Sequence, residues 1–380
     1  AGSWSQGIGS NGGTNAIGNA IIEGFPETLD IGWEIETKQN YGFDLGLFDN
    51  KVDFVFDYFR SERSHILMQR NTTPTVGGFR VNQYANYGIV NNHGVDMSLN
   101  IHQQIGKVKL SARGTFTYAR NKIVEYDELP QRYPWMAQTG MRINENYLYI
   151  AERLYTKEDF IVSKNGSGIE TYTLRSELPQ STLGGLLGPG DIKYKDGIID
   201  SYDKVRGVGH PKVPEIVYGF GLNIEYKGFY ASAFFQGAGN CSVLLGGNTP
   251  EGWFPFSWGV DQSNYRTFAL DRWTEKNPSQ NVLMPRLHKD NTNTANNSVA
   301  STWWLRNGGF LRLKNVELGY QLPKKLLSKI NLQAARIYLM GYNIALWDDL
   351  KYFDPEAGNA NGGNTYPKAR TFTLGIDFTF

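Results

Sequence analysis

Alternation with a period of two dominates the chain. At its end, Phe372, Leu374, Ile376, Phe378 and Phe380 share one parity, while Thr371, Thr373, Asp377 and Thr379 share the other. Successive side chains of a strand point to opposite faces, so this segment reads as a strand with one apolar and one polar face. The pattern recurs upstream. Tyr41, Phe43, Leu45 and Leu47 alternate with Gly42, Asp44 and Gly46, and Val52, Phe54, Phe56 and Tyr58 follow an Asp49-Asn50 turn. Val108, Leu110, Ala112, Phe116 and Tyr118 alternate with Lys109, Ser111, Arg113, Thr115 and Thr117. Tyr218 to Tyr226 leads through Lys227-Gly228 into Phe229, Ala231, Ala233 and Phe235. The expected strands are 34–48, 51–68, 86–104, 107–126, 213–226, 228–239, 303–321, 333–347 and 369–380. Globular strands average about 5–6 residues, and these are much longer.

The connections are sorted by length. Short turns fall near 49–50, 104–106 and 227–228, and longer segments at 69–85, 127–212 and 240–302. Membrane barrels of the outer-membrane type have short turns at one end and long loops at the other, whereas a soluble sandwich has no reason to sort them. Pro323 followed by Lys324 to Asn331 reads as a helical turn within a connection, and the Gly-, Asn- and Ser-rich stretch 1–20 reads as a loop.

Composition agrees with an all-β chain. Aromatic residues make up 14%, with 22 Tyr, 21 Phe and 9 Trp, and there are 43 Gly. Aromatics favour strands and Gly favours tight turns, although a soluble sandwich or propeller shares this bias. Lys and Arg total 38 against 37 acidic residues, so there is no basic excess to mark a nucleic-acid partner. Cys241 is the single cysteine, which rules out a disulfide framework within the chain. Mean hydropathy is −0.43, and no run of ~18 apolar residues offers a transmembrane helix, but a transmembrane strand needs only about 9–11 alternating residues. Ala1-Gly2-Ser3-Trp4 has neither the charged nor the apolar region of a secretion signal, so the expectation is a leader already removed or a sequence that begins partway through a longer protein.

Catalytic chemistry is hard to find. His65, His93, His102, His210 and His288 show no metal-ligand spacing, and there is no Cys pair for zinc, no Gly-x-Ser-x-Gly and no P-loop. Gly7-Ile8-Gly9-Ser10-Asn11-Gly12 has dinucleotide-loop spacing but lacks the flanking strand and helix that such a loop requires. Asp191, Asp196, Asp200 and Asp203, around Gly197, make a candidate Ca²⁺ loop, with an acidic solvated turn as the alternative. Trp135 and the cluster Trp253, Phe254, Phe256 and Trp258 lie in expected outer loops, where aromatic faces can stack on the C–H faces of sugars or pack the loops together. Trp303 and Trp304, at the start of a strand, are expected in the aromatic girdle at the membrane interface.

Several segments together resemble the SusC/RagA branch of TonB-dependent transporters. They are Trp33-Glu34-Ile35-Glu36-Thr37-Lys38-Gln39-Asn40-Tyr41-Gly42-Phe43-Asp44, Asp53-Phe54-Val55-Phe56-Asp57-Tyr58-Phe59 and Asn91-Asn92-His93-Gly94-Val95-Asp96. Further along come Phe310-Leu311-Arg312-Leu313-Lys314-Asn315-Val316-Glu317-Leu318-Gly319-Tyr320-Gln321-Leu322-Pro323, Phe353-Asp354-Pro355-Glu356, Tyr366-Pro367 and the terminal Phe380. Each is short, but their order across residues 30 to 380 is specific. The resemblance implies an antiparallel transmembrane β-barrel in the outer membrane of a Gram-negative bacterium, of which this chain is the C-terminal part. Plugged transporter barrels have about 22 strands, and nine are expected here, so the plug and the earlier strands are expected elsewhere in the protein. It further implies energy-coupled nutrient import with no cofactor required and no catalytic residues. The expected partners are a SusD-like surface lipoprotein, the TonB-ExbB-ExbD complex acting through the plug, outer-membrane lipid, and a dimer of SusC–SusD pairs. The favoured cargo is an oligosaccharide, with an oligopeptide second. The segment Gly190 to Asp200 is about four residues shorter than the acidic loop usual in the family, which weakens the cation reading. Two readings from other classes are a soluble carbohydrate-binding β-protein and an outer-membrane hydrolase, the latter lacking a recognisable nucleophile and base.

Overall fold

A computed structural model of the chain describes residues 4–5, 20–21, 28, 30–74, 76, 82–178, 180–183, 185–195, 198–245, 267–288, 295–327, 332–357, 366 and 368–380. Its main feature is a single 9-stranded antiparallel sheet. The strands are β1 (Ile35–Leu47), β2 (Val52–Gln69), β3 (Tyr84–Ile105), β4 (Val108–Glu125), β5 (Ile216–Tyr226), β6 (Phe229–Gly239), β7 (Phe310–Gln321), β8 (Ala334–Asp348) and β9 (Thr371–Thr379). Each pairs with its neighbour in sequence, so the sheet is an up-and-down meander. All nine expected strands form. The expected strand 303–321 is interrupted at Gly308-Gly309, and its first part, Leu305–Asn307, pairs instead with Ser242–Leu244 outside the sheet. The helical turn after Pro323 is present as Lys324–Leu327. In the stretch 1–20, read as a loop, Trp4–Ser5 pairs with Ala20–Ile21, and the rest, including Gly7 to Gly12, lies outside the described residues.

Register converts the sequence alternation into two continuous faces. Side chains directly opposite on paired strands lie on the same side of a sheet. One row runs Leu374, Leu339, Leu318, Ala231, Ile224 and Leu110 across β9 to β4. Another runs Leu222, Ala112, Ile101, Val52 and Leu47 across β5 to β1. One residue away, on the opposite face, stand Thr373, Met340, Glu317, Ser232, Asn223 and Ser111. The apolar face has no cover, with Phe372 67% and Leu374 75% exposed. The burial pattern is therefore that of a barrel wall, not of a layer in a soluble sandwich.

Aromatic rows bound the apolar band. Tyr41, Tyr58 and Tyr118 lie in rows toward one end, and Tyr226, Phe229 and Tyr320 lie in one row at the other. The rows of Tyr118, opposite Ile216, and of Tyr226 are ten residues apart on β5, about 33 Å along the strand. At the ~45° tilt of transmembrane strands this is roughly 23 Å across the membrane, close to the ~25 Å apolar band of such barrels.

The connections sort as expected. The strand ends joined by 48–51, 106–107, 227–228 and 322–333 lie at one end of the sheet, and those joined by 70–83, 126–215, 240–309 and 349–370 at the other. Lys227 and Gly228 both have positive φ, +49° and +88°, the type I′ geometry whose twist matches a two-residue hairpin. On the polar face, Tyr338 lies across Gly375 so closely that a Cβ there would sit 2.2 Å from its ring, so β9 carries no side chain at that point.

The buried core lies in the long segments. Leu148, Leu154, Ile192, Tyr194, Val243, Trp273, Met284, Trp304 and Leu350 pack into one cluster drawn from three of the four. Short ladders support it, among them Ala151–Leu154 with Ile192–Tyr194. Buried Asn296 and Asn297 hold the cluster's backbone, since Asn296 Nδ2 donates to Ile192 O at 2.9 Å and Ile192 N donates to Asn297 Oδ1 at 2.9 Å.

In a bilayer, Leu222→Arg at the middle of the apolar band is expected to cost about 2–4 kcal/mol, while the neighbouring polar-face change Asn223→Arg costs near zero. Denaturant unfolding of the complete protein in lipid vesicles measures the difference. Equal costs at the two positions would reverse the assignment of faces.

Candidate functional site

The polar face and the packed loops meet along a cleft at the long-loop end. Two adjoining cavities form it, of about 480 and 410 Å³, and they share Ile66, Val90, Arg142, Ile143 and Asn144. The wall side carries Ser61, Arg63, Asn92 and Asn121 from β2, β3 and β4, all of polar-face parity. The loop side carries Met141 to Glu145, Arg206 and 211–215. An apolar floor edged by Glu34, Glu36, Arg63, Arg142 and Glu215 is suited to a ligand with both apolar and hydrogen-bonding surface.

A charge cluster fixes the loops to the wall there. Arg120 on β4 grips Glu215 with Nε and Nη2, at 2.7 and 2.8 Å. Arg142 reaches the same carboxylate at 3.2 Å, also pairs with Glu145, and donates to Gly209 O at 3.2 Å. Burial alone would raise the Glu215 carboxyl, but hydrogen bonds from Arg120 and Arg142 outweigh it and hold the pKa below the usual glutamate value. Asp127 makes a second tie. It accepts from Asn71 N at 2.6 Å, from Thr72 N at 3.1 Å and from Thr72 Oγ1 at 2.7 Å, with Arg70 3.0 Å away. Here too burial pushes the carboxyl up, and the bonds from Thr72, Arg70 and Asn71 bring it below the usual aspartate range.

Beside the cleft is an exposed aromatic platform. Trp135 stacks on Tyr133 with centroids 4.4 Å apart and planes 4° from parallel. Tyr202 stands edge-on to Tyr133 at 6.3 Å, and its carbonyl accepts Trp135 Nε1 at 3.0 Å. Pro134 opens the short 3₁₀ turn that carries Trp135, and Arg206, which lines the cleft, donates to Met136 O at 3.1 Å. Trp135 thus has its one side-chain polar group satisfied within the protein while the residue remains 41% exposed.

The described aspartates of the acidic loop bond to protein groups. Asp191 is buried and already occupied. Arg286 bonds it at 2.6 and 3.2 Å, His288 Nε2 at 2.9 Å, Asn297 Nδ2 at 2.8 Å and Gly188 N at 2.9 Å. Its oxygens, expected as Ca²⁺ ligands, face donors and a guanidinium here. Asp200 and Asp203 cap their own turn, with Asp200 accepting Tyr202 N at 2.7 Å and Asp203 accepting Asp200 N at 2.7 Å. The turn they cap carries Tyr202, whose carbonyl accepts Trp135 Nε1. Asp196 lies outside the described residues, as do Trp253, Phe254, Phe256 and Trp258. Among the described residues no three His, Cys, Asp or Glu side chains converge as a metal site.

The girdle expectation for Trp303 and Trp304 is also corrected. Trp304 is fully buried in the loop core, with Nε1 donating to Asn297 O at 2.9 Å, and Trp303 donates to Leu283 O at 3.1 Å. The interruption at Gly308-Gly309 takes both out of the wall. Sequence reading singled out Trp135 but passed over Arg120, Arg142, Glu215, Tyr133 and Tyr202. The run Tyr133-Pro134-Trp135 was the available signal for part of this set, whereas the Arg–Glu pairing spans 95 residues and has no local signature.

No family model matches the chain. The chain is 25% identical over 394 residues to TonB-dependent receptor P3 of Formosa agariphila, with 97% of this chain and 36% of the relative covered. It is 27% identical to TonB-dependent receptor P26 of the same organism, again with 36% of the relative covered. It is 22% identical to TonB-dependent receptor SusC of Bacteroides thetaiotaomicron, over 92% of this chain and 32% of the relative. The chain therefore spans about a third of the length of the curated relatives it matches. The solved RagAB peptide transporter has the same fold over 100% of this chain and 38% of its own, at 25% identity and a TM-score of 0.69.

Trp304→Ala is expected to cost about 3–5 kcal/mol of loop-domain stability. Limited proteolysis should then cleave within 126–309 while the wall keeps its heat-resistant mobility on gels. Uncleaved loops would show that the core does not depend on this ring. Acid is expected to loosen the junction as well. A depressed carboxylate pKa stabilises fully above the unfolded value of ~4.3, and that contribution is lost as pH falls through the lower folded value. Protease resistance of the loops at Glu215 and Asp127 should therefore persist at pH 5–7 and decline below about pH 4, while Glu215→Gln lowers the resistance already at pH 7 and removes the Glu215 share of its acid dependence.

Proposed function

We infer that this chain, which is of the SusC/RagA type of TonB-dependent transporters, forms barrel wall and outer loops of an importer in the outer membrane of a Gram-negative bacterium. The observation that carries the reading is the uncovered apolar band along one face of nine long strands, with a polar face behind it that opens into a loop-roofed cleft. A soluble sugar-binding protein would have no use for the band.

The polar face would line the lumen, and the rest of the protein would supply the plug and the strands that close the barrel, since an open sheet edge is not tolerated in lipid. Cargo would enter from the long-loop side beneath a SusD-like lipoprotein lid. The TonB-ExbB-ExbD complex would then pull on the plug to open a path, and two such assemblies would pair as a dimer. Import of this kind breaks no covalent bond in the cargo. The described residues contribute shape, hydrogen-bonding groups and charge.

The favoured cargo is an oligosaccharide. Trp135 offers a rigid, exposed ring face beside the cleft, and a sugar's C–H face stacks on such a surface while its hydroxyls reach polar groups at the rim. An oligopeptide is the second reading, favoured by the likeness to the RagAB peptide transporter.

Deletion of the gene is expected to abolish uptake of one oligosaccharide class, and the loss should be reproduced by inactivating TonB. Affinity purification from detergent-solubilised outer membranes should recover a SusD-like lipoprotein and bound glycan. Peptide in place of glycan would select the second reading. Normal uptake of every glycan and peptide after deletion would refute import.

A further inference from the structure

We propose that the smaller of the two cleft cavities, of about 410 Å³, is a subsite for a neutral deoxy sugar, which turns a methyl group onto the cavity floor and donates a hydroxyl to Glu145. The proposal rests on the import reading and names the cargo chemistry that this cavity would take.

The floor of this cavity exists because of one break in register. On β2, Ser61 and Arg63 have polar-face parity, and strict alternation would give His65 and Leu67 the same face. Instead Arg63 pairs with Val90 and Ile66 with Gly88, so Ser64 and His65 together oppose Ile89 alone. His65 takes a φ of +56° within this bulge. Two residues against one exchange the faces beyond the bulge, so Ile66 and Met68 stand where the polar face would otherwise continue. A Cβ on Gly88 would lie 2.8 Å from Met68 Cε and 3.2 Å from Ile66 Cβ, so the bare glycine makes room for both. Val90 and Ile123, opposite each other on β3 and β4, extend the aliphatic floor, and Met141 closes it from the loop side. That side is tied to the wall by backbone, with Ile123 N donating to Met141 O and Gly140 N to Ile123 O, both at 2.8 Å. The floor is set before any ligand arrives, which limits the entropy lost on binding.

Glu145 supplies an independent observation. It lines the same cavity, and its side chain is only 3% exposed. Oε1 pairs with Arg142, whereas Oε2 is buried without a hydrogen-bond partner. A buried acceptor left unbonded is costly, so this oxygen gains from a donor that enters the cavity. Charge does not select that donor. Arg142 already pairs with the carboxylate, and Glu125, Arg206 and Lys212 also line the cavity, so both signs are present. A neutral hydroxyl bonds Oε2 without adding charge. The floor sets the second condition. A hydroxyl pressed against Ile66, Met68 and Val90 would lose water and gain no partner, while a methyl group there gains by burial. A hexose with methyl in place of its hydroxymethyl group meets both conditions, since it turns carbon to the floor and keeps ring hydroxyls for Glu145.

The test is binding of the intact, detergent-solubilised transporter to paired oligosaccharides that differ only in a terminal deoxyhexose or its hydroxymethyl parent. A further set carries single O-methyl groups on the ring hydroxyls of the deoxy unit. The deoxy member is expected to bind roughly tenfold more tightly than its parent, and O-methylation at one position to weaken it by about as much. Glu145→Gln should weaken binding of the deoxy member about tenfold, because a charged acceptor is lost, and should blunt the effect of O-methylation. Val90→Thr keeps the shape of the floor but adds a hydroxyl, and should bring the two members of each pair toward equal affinity. The ligand pairs and Val90→Thr keep the test decisive whatever Glu145→Gln does to folding. Equal or weaker binding of the deoxy member, indifference to O-methylation at every position, or no saccharide binding would each overturn the proposal. So would unchanged binding by both variants, the mark of a cavity filled only by water or by another part of the protein. Uptake by cells separates this failure from that of import. Uptake lost on deletion but normal in both variants sinks only the subsite, whereas uptake unaffected by deletion sinks the import reading itself.

Discussion

Everything in this structure depends on backbone pairing within a surface that faces an apolar medium. A peptide group exposed to hydrocarbon without a partner costs several kcal/mol, so the chain can present an apolar face to lipid only if each strand is bonded along its length to the next. The meander does this from β1 to β9 with few breaks in register. Because side chains alternate strictly, one choice of register places Leu222 outside and Asn223 inside, and repeats that choice across the sheet. A slip of one residue would exchange the two faces, which is the reason the long apolar rows and the hydrogen-bond ladder reinforce one another.

The wall therefore contributes almost nothing to a conventional core, and the loops must make their own. Trp304, Tyr194 and Met284 provide it, with Asn296, Asn297 and Asp191 tying the polar backbone and side chains around them. This compact outer body is fastened to the wall by ion pairs at a few points. Arg120 and Arg142 converge on Glu215, and buried Arg312 on β7 holds Asp354 at 2.6 Å and Glu356 at 2.9 Å. The second tie explains the Phe353-Asp354-Pro355-Glu356 segment, whose two carboxylates secure the last long connection to the strand beside it. Such ties fix position more than they add stability, because much of their attraction offsets the desolvation of the charges.

Between wall and loops these constraints leave a cleft with an apolar floor and a charged rim, and beside it a rigid aromatic surface. The arrangement suits recognition. Trp135 has no freedom to turn away, Tyr202 is held by a capped turn, and Arg206 connects the platform turn to the cleft. Cleft and aromatic surface lie together at the long-loop end of the polar face.

The alternation of the chain alone determined the strands, their approximate ends, the identity of the two faces and the sorting of turns from loops, because a two-residue period and the chemistry of turns are local properties. Tertiary structure decided the roles of residues whose partners are remote. Asp191 looked like a cation ligand beside other aspartates, yet Arg286 and His288, about 95 residues away, occupy it. Trp304 looked like an interface aromatic at a strand start, but the break at Gly308-Gly309 and pairing with Ser242–Leu244 turn that segment into the loop core. Trp135 was legible as an exposed aromatic, whereas its platform needed Tyr202 brought 67 residues along the chain to its side. The physical reason is the same in each case. Local pattern fixes which face a side chain takes, and only the closing of long loops fixes what it meets there.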